Sequence, residues 1–74
     1  MSFKRIRNLR EDKDLTQTDI AKLLGMSRTG YAKYEMGACD IPTDVLVTLA
    51  DYYKTSIDYL LDVTDEKRPY PKKR

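Results

Sequence analysis

Apolar residues in this chain recur three or four positions apart in short groups, a spacing that suits helices and not strands. The groups are Phe3, Ile6 and Leu9; Ile20, Ala21, Leu23 and Leu24; Leu46, Leu49, Ala50 and Tyr53; and Ile57, Leu60 and Leu61. Residues that start and stop helices stand between them. Thr16 precedes the second group with Asp19 three residues on, a capping box with aspartate in place of the usual glutamate. Ser27 and Ser56 can cap a third and a fifth helix, and Asp58 lies near the positive end of the fifth. Gly25 and Gly37 fall where helices two and three should end, in the left-handed conformation that a Cβ disfavours. Pro42 suits the first turn of a fourth helix. Together these signals predict an all-α fold with helices over about 3–13, 17–24, 28–36, 42–53 and 57–62. From Thr64 the apolar pattern stops, so residues 1–63 are expected to form the domain and 64–74 a flexible basic tail.

A chain of 74 residues is expected to hold one domain, near the lower size limit for folding without disulfides or metal. One cysteine, Cys39, and no histidine give no support to a disulfide framework or a zinc site. No apolar run approaches the roughly 18 residues of a membrane span, and no secretory signal opens the chain, so cytoplasm is the expected compartment. An enzyme is disfavoured, because no histidine, phosphate loop or nucleophile–base pair is present to supply the chemistry. Nothing points to a cofactor, a metal or a small-molecule ligand.

The net charge of +2 is modest, but it is strongly segregated. Residues 1–10 carry Lys4, Arg5, Arg7 and Arg10, whereas residues 38–66 carry seven acids against Lys54 alone. Lys67, Arg68, Lys72, Lys73 and Arg74 make the last eight residues basic again. One part of the protein should therefore repel phosphate while others attract it.

Only Gly25, Met26 and Ser27 separate the second and third helices, the spacing of a helix-turn-helix or of any tight corner between helices. The residues themselves favour the first. The stretch from Leu15 through Thr16-Gln17-Thr18-Asp19-Ile20-Ala21 to Gly25-Met26-Ser27-Arg28-Thr29 and Lys33-Tyr34-Glu35-Met36-Gly37 closely resembles the motif of the lambda-repressor-like, or Cro, family. The likeness extends from Ile6-Arg7-Asn8-Leu9-Arg10 to Ser56-Ile57-Asp58-Tyr59-Leu60-Leu61, covering about residues 3–62. It implies a compact five-helix domain and a prokaryotic or phage regulator, most simply a repressor, that binds double-stranded DNA.

Carried onto this chain, the resemblance makes the third helix the reading helix, with Arg28, Thr29 and Lys33 facing base edges. Chemistry agrees: a guanidinium in the first turn can reach O6 and N7 of guanine together, and Thr29 can bond a base or pack on a thymine methyl. Lys33, one turn on, can reach guanine or a phosphate. Gln17, at the start of the second helix, is expected on a phosphate, with Lys22 and Ser27 as further phosphate contacts. Arg10 and Glu35 occupy positions that the resemblance pairs as ions, fixing the angle of the reading helix. Tyr31 and Tyr34, three apart, are expected in the core. Tyr52, Tyr59 and Tyr70 cannot all be buried in so small a body, and tyrosines are enriched at interfaces. The resemblance places a homodimer contact near Thr55, Ser56 and Tyr59.

Three features depart from the family's pattern. The loop Ala38-Cys39-Asp40-Ile41 lacks the basic residues that often grip the backbone there. Gly30 stands where serine or threonine is usual, at a helical cost of about 0.8–1.0 kcal/mol relative to alanine, or else to permit close packing. Lys54 takes a helix-ending position often held by glycine, so a left-handed lysine or a different turn is expected. A second reading is a protein-interaction module, antitoxin-like or polymerase-contacting, that binds through the acidic segment.

Overall fold

The computed structural model describes residues 3–69. Five helices follow one another: α1 (Lys4–Asp12), α2 (Gln17–Leu24), α3 (Arg28–Met36), α4 (Thr43–Tyr53) and α5 (Ile57–Leu60). There is no strand among the described residues, and the fold is all-α. None of these helices is long and apolar enough to cross a membrane.

The helix ends are built from local chemistry. Thr16 Oγ1 accepts from the Asp19 N–H at 3.1 Å while the Asp19 carboxylate accepts from the Thr16 N–H at 2.8 Å, the reciprocal capping box. Those bonds hold the Asp19 carboxyl below its ordinary pKa. Ser27 caps α3 by accepting from the Gly30 N–H, and Ser56 caps α5 by accepting from the Tyr59 N–H. Gly25 and Gly37 close α2 and α3 at φ of 69° and 73°. Lys54 closes α4 in the left-handed region as well, at φ 55°.

Helix α1 is one residue shorter at each end than the expected 3–13, and two further boundaries differ from the sequence expectation. Pro42 is the residue before the first helical turn of α4, not part of it. The fifth helix ends at Leu60 instead of residue 62, because Asp62 turns left-handed at φ 62° and halts propagation. At Gly30 a Cβ would lie 3.1 Å from the Met26 methyl and 3.2 Å from the Ser27 hydroxyl, so the missing side chain lets turn and cap close tightly on α3.

The core gathers one face from each helix. Ile6 and Leu9 come from α1, Ile20 and Ala21 from α2, and Tyr31 from α3. Leu46, Leu49, Ala50 and Tyr53 of α4 and Leu60 of α5 complete it, with Ile41 plugging the loop before α4. Leu23 lies outside this set at 44% exposure: Ile20, Ala21 and Leu24 form the inward stripe of α2, and Leu23 falls beyond it. Tyr34 packs edge-on against Tyr31 with ring centroids 6.4 Å apart.

Residues 64–69 contain no helix or strand but are bonded to the body. Thr55 Oγ1 donates to the Lys67 carbonyl at 2.6 Å. Arg5 reaches the Thr64 carbonyl at 3.3 Å and the carboxylates of Asp62 and Asp65 at 2.8 Å each. Its guanidinium also covers the Tyr59 ring, 4.1 Å from the centroid. The expected tail's Tyr70, Lys72, Lys73 and Arg74 lie outside the described residues.

Candidate nucleic-acid interface

Helix α3 has one fixed side and one open side. Tyr31 and Glu35 are buried on the inner face of α3, whereas Arg28, Thr29 and Lys33 are exposed on the other. An α-helix with its side chains is about 10–12 Å across, which a B-DNA major groove about 12 Å wide admits, and the nine residues of α3 give it roughly 13 Å to lie along the groove. The side chains of Thr29 and Lys33 form no hydrogen bond or ion pair with other described residues, so their polar ends are available to a partner.

The inner side is held by Arg10, near the end of α1. Its Nε and Nη2 donate to the two Glu35 carboxylate oxygens at 2.8 and 3.2 Å, a two-pronged ion pair, and its Nη1 donates to the Leu15 carbonyl at 2.7 Å. One guanidinium thus ties α1 to α3 and to the turn before α2. The side chains of Arg10 and Glu35 are only 11% and 4% exposed. Burial pushes the Glu35 pKa up, but the donors around the carboxylate, Arg10 foremost, outweigh it and hold the group below its ordinary value. Arg10 is raised by the same contact. The Tyr31 hydroxyl is buried with no hydrogen bond of ordinary geometry, and burial keeps its pKa well above that of a free phenol, with the nearby Glu35 charge acting in the same sense.

From this pair a line of hydrogen bonds runs outward to the open face. Gln17 Nε2 donates to Glu35 Oε1 at 3.2 Å, and Gln17 Oε1 accepts from Arg28 Nη1 at 3.0 Å. The carboxylate therefore fixes which way the Gln17 amide points: nitrogen inward, oxygen toward Arg28. Arg28 keeps its remaining N–H groups for an outside partner. Gln17, Arg10, Glu35 and Arg28 converge on one patch. Lys22 is exposed on α2. Ser27 accepts the α3 capping bond, which leaves its hydroxyl proton free to donate.

The corner expected to meet a second copy is arranged differently from an open surface. Thr55 and Ser56 are buried, their hydroxyls committed to the Lys67 carbonyl and to the α5 cap. Tyr59 is half-buried beneath Arg5. Beside them a groove of about 440 Å³ is lined by Val47, Ala50, Asp51, Ile57 and Pro69 among others.

Two features were not foreseen from sequence. Arg5 belongs to the N-terminal basic block yet is consumed by Asp62, Asp65 and Tyr59, and no local signal links positions some sixty residues apart. The bridging role of Gln17 was equally hidden, because it depends on α1 bringing Arg10, and hence Glu35, beside the start of α2.

A model of the helix-turn-helix family matches residues 6–60. Among curated proteins, an uncharacterized HTH-type transcriptional regulator of Bacillus subtilis, YobD, is 38% identical over 93% of this chain and 62% of its own length. The HTH-type transcriptional regulator AnsR of the same organism is 34% identical over 96% of the chain and 61% of its own length. Antitoxin PezA of Streptococcus pneumoniae is 31% identical, over 96% and 44%. The chain thus spans 44–62% of the length of these relatives. No solved structure matches it. By the extent of the family match and the naming of these relatives, the chain belongs to the Cro/C1-type helix-turn-helix family.

Proposed function

We propose that this protein is a sequence-specific double-stranded DNA-binding transcriptional regulator, a repressor in its simplest form, that reads the major groove with α3. The observation that carries the reading is the division of α3. Its inner side is anchored through Tyr31 and the Arg10–Glu35 pair, and its outer side presents Arg28, Thr29 and Lys33. A rigid element with free donors on one face is what direct readout requires. Arg28 is the principal base contact, on O6 and N7 of a guanine, with Thr29 and Lys33 reading neighbouring positions. Gln17, Lys22 and Ser27 hold the backbone around the start of α2 and the turn.

Action as a homodimer belongs to the same reading, since two copies double the DNA surface engaged and call for a two-fold symmetric site. Because Thr55 and Ser56 are buried, a second copy would meet this corner through Pro69 and the exposed Val47 that line the groove.

An electrophoretic titration tests the base contact on a duplex selected from a random pool by the wild type. Arg28→Ala is expected to lose about 1–3 kcal/mol and to relax preference at one position of each half-site. Unchanged affinity and preference would overturn the assignment.

The likeness to a protein named as an antitoxin supports a second reading, in which the acidic segment binds a basic protein. Asp62 and Asp65 are already paired with Arg5, whereas Asp44 and Asp51 on α4 are exposed and form no ion pair among the described residues, which makes them the carboxylates to test. Binding that survives Arg28→Ala but fails when Asp44 and Asp51 become asparagine would favour it.

A further inference from the structure

The loop that follows α3 is short of the cations that would grip a nucleic-acid backbone, and the structure places cations elsewhere. Lys4, Arg7 and Arg10 recur every three residues along α1 and therefore share one flank of that helix. With Gln17, Glu35 and Met36 they line an open cleft of about 400 Å³ between α1 and the α2–α3 pair.

We propose that this cleft seats a DNA backbone phosphate, with Lys4 and Arg7 as its cationic donors, so that α1 is a second backbone-gripping element beside the start of α2. The inference rests on the DNA-binding reading above and adds to it two cations on a helix that the reading left out.

Charge comes first. Glu35 is the one acid in the lining and is neutralised by the two prongs of Arg10, so the cleft keeps the charges of Lys4 and Arg7. Lys4 is exposed and has no ion-pair or hydrogen-bond partner among the described residues. Arg7 has one, Glu11 at 3.3 Å, a pair four residues apart on the same helix with both side chains more than half exposed. A pair of that kind holds its arginine weakly and yields it readily to a phosphate.

Position comes second. Gln17 is in the wall of the cleft, and the same side chain bonds Arg28 in the first turn of α3. Any duplex that engages Arg28 therefore lies next to the cleft mouth, and the part of a duplex that borders a groove is its phosphate backbone. The second N–H of Gln17 Nε2 is left to donate there, since only one is used on Glu35. Met36, 67% exposed at the rim, offers an apolar side chain to lie along a sugar.

The test measures affinity against salt for the wild type, for Lys4→Gln with Arg7→Gln, and for the charge-keeping Lys4→Arg with Arg7→Lys. Two probes are used, the duplex that the wild type selects and one of random sequence. The neutral pair should lower the slope of log affinity on log salt by about 0.9, the share of the one phosphate no longer neutralised. Between 50 and 200 mM salt its affinity should accordingly fall about 3.5-fold less than that of the wild type. Both probes should weaken by the same factor, and the charge-keeping pair should restore the slope. An unchanged slope in a protein that still selects its duplex would overturn this inference and leave DNA recognition standing. A wild type that prefers no duplex would remove both.

Discussion

Replacing Glu35 with alanine is the perturbation that the architecture makes most costly for its size. The substitution removes both acceptors of Arg10 on α3 and the acceptor of the Gln17 amide, leaving the guanidinium with the Leu15 carbonyl alone. Breaking a buried ion pair from one side costs about 3–5 kcal/mol, because the surviving charge stays out of water without a partner. Here the lower end applies, about 3 kcal/mol, since Arg10 retains one carbonyl and an edge that is 11% exposed. For a domain of this size that is a fall in melting temperature of roughly 12–24 °C, read by circular dichroism in the far ultraviolet. Arg10→Leu with Glu35→Leu removes the stranded charge, so the double variant should be at least about 1 kcal/mol more stable than the sum of the single losses. The acid dependence has a definite sign. The folded pKa of Glu35 lies below the ordinary value of 4.5, so its contribution is present in full above that value and drains away as pH falls through the folded one. A single substitution costing under about 1 kcal/mol, or a strictly additive double variant, would refute the view that this pair holds α3 in place.

Other outcomes follow from the same structure. The Tyr53 hydroxyl is buried without a hydrogen-bond partner, so Tyr53→Phe should leave stability unchanged or raise it by about 1 kcal/mol in urea unfolding. Burial raises the pKa of both Tyr31 and Tyr53, so the folded chain keeps protons that the unfolded chain releases near pH 10; the urea midpoint should decline as pH rises past that value, and less so in Tyr53→Phe. Lys54 sits at φ 55°, where a side chain is strained, and Lys54→Gly should gain about 1 kcal/mol by the same assay. Thr16→Ala removes one half of the capping box and should cost about 1 kcal/mol.

What could be read from sequence was what adjacent residues decide. The caps at Thr16, Ser27 and Ser56 and the left-handed ends at Gly25 and Gly37 each depend on partners within five residues, so residue type alone announced them. The left-handed turn at Asp62 carried no such announcement, since aspartate only tolerates that conformation and, among the described aspartates, Asp14 and Asp62 alone adopt it. Ile41 entered the core from a loop, where no helical period could mark it. The N-terminal cations looked alike in sequence, yet tertiary contacts divide them: Arg5 holds α5 and the segment after it, Arg10 orients α3, and Lys4 stays open. The convergence of Gln17 with Arg28 and Glu35 needed the relative placement of three helices, which no short pattern encodes.

The proposed recognition turns on whether Arg28 reads a guanine from the major groove. The most direct test replaces, in the selected duplex, the guanine whose identity Arg28→Ala ceases to discriminate with 7-deazaguanine, which lacks the N7 acceptor and leaves base pairing intact. The wild type should lose about 1 kcal/mol, roughly fivefold in affinity, and Arg28→Ala should be indifferent to the change. An equal loss in both proteins, or none in the wild type, would contradict it.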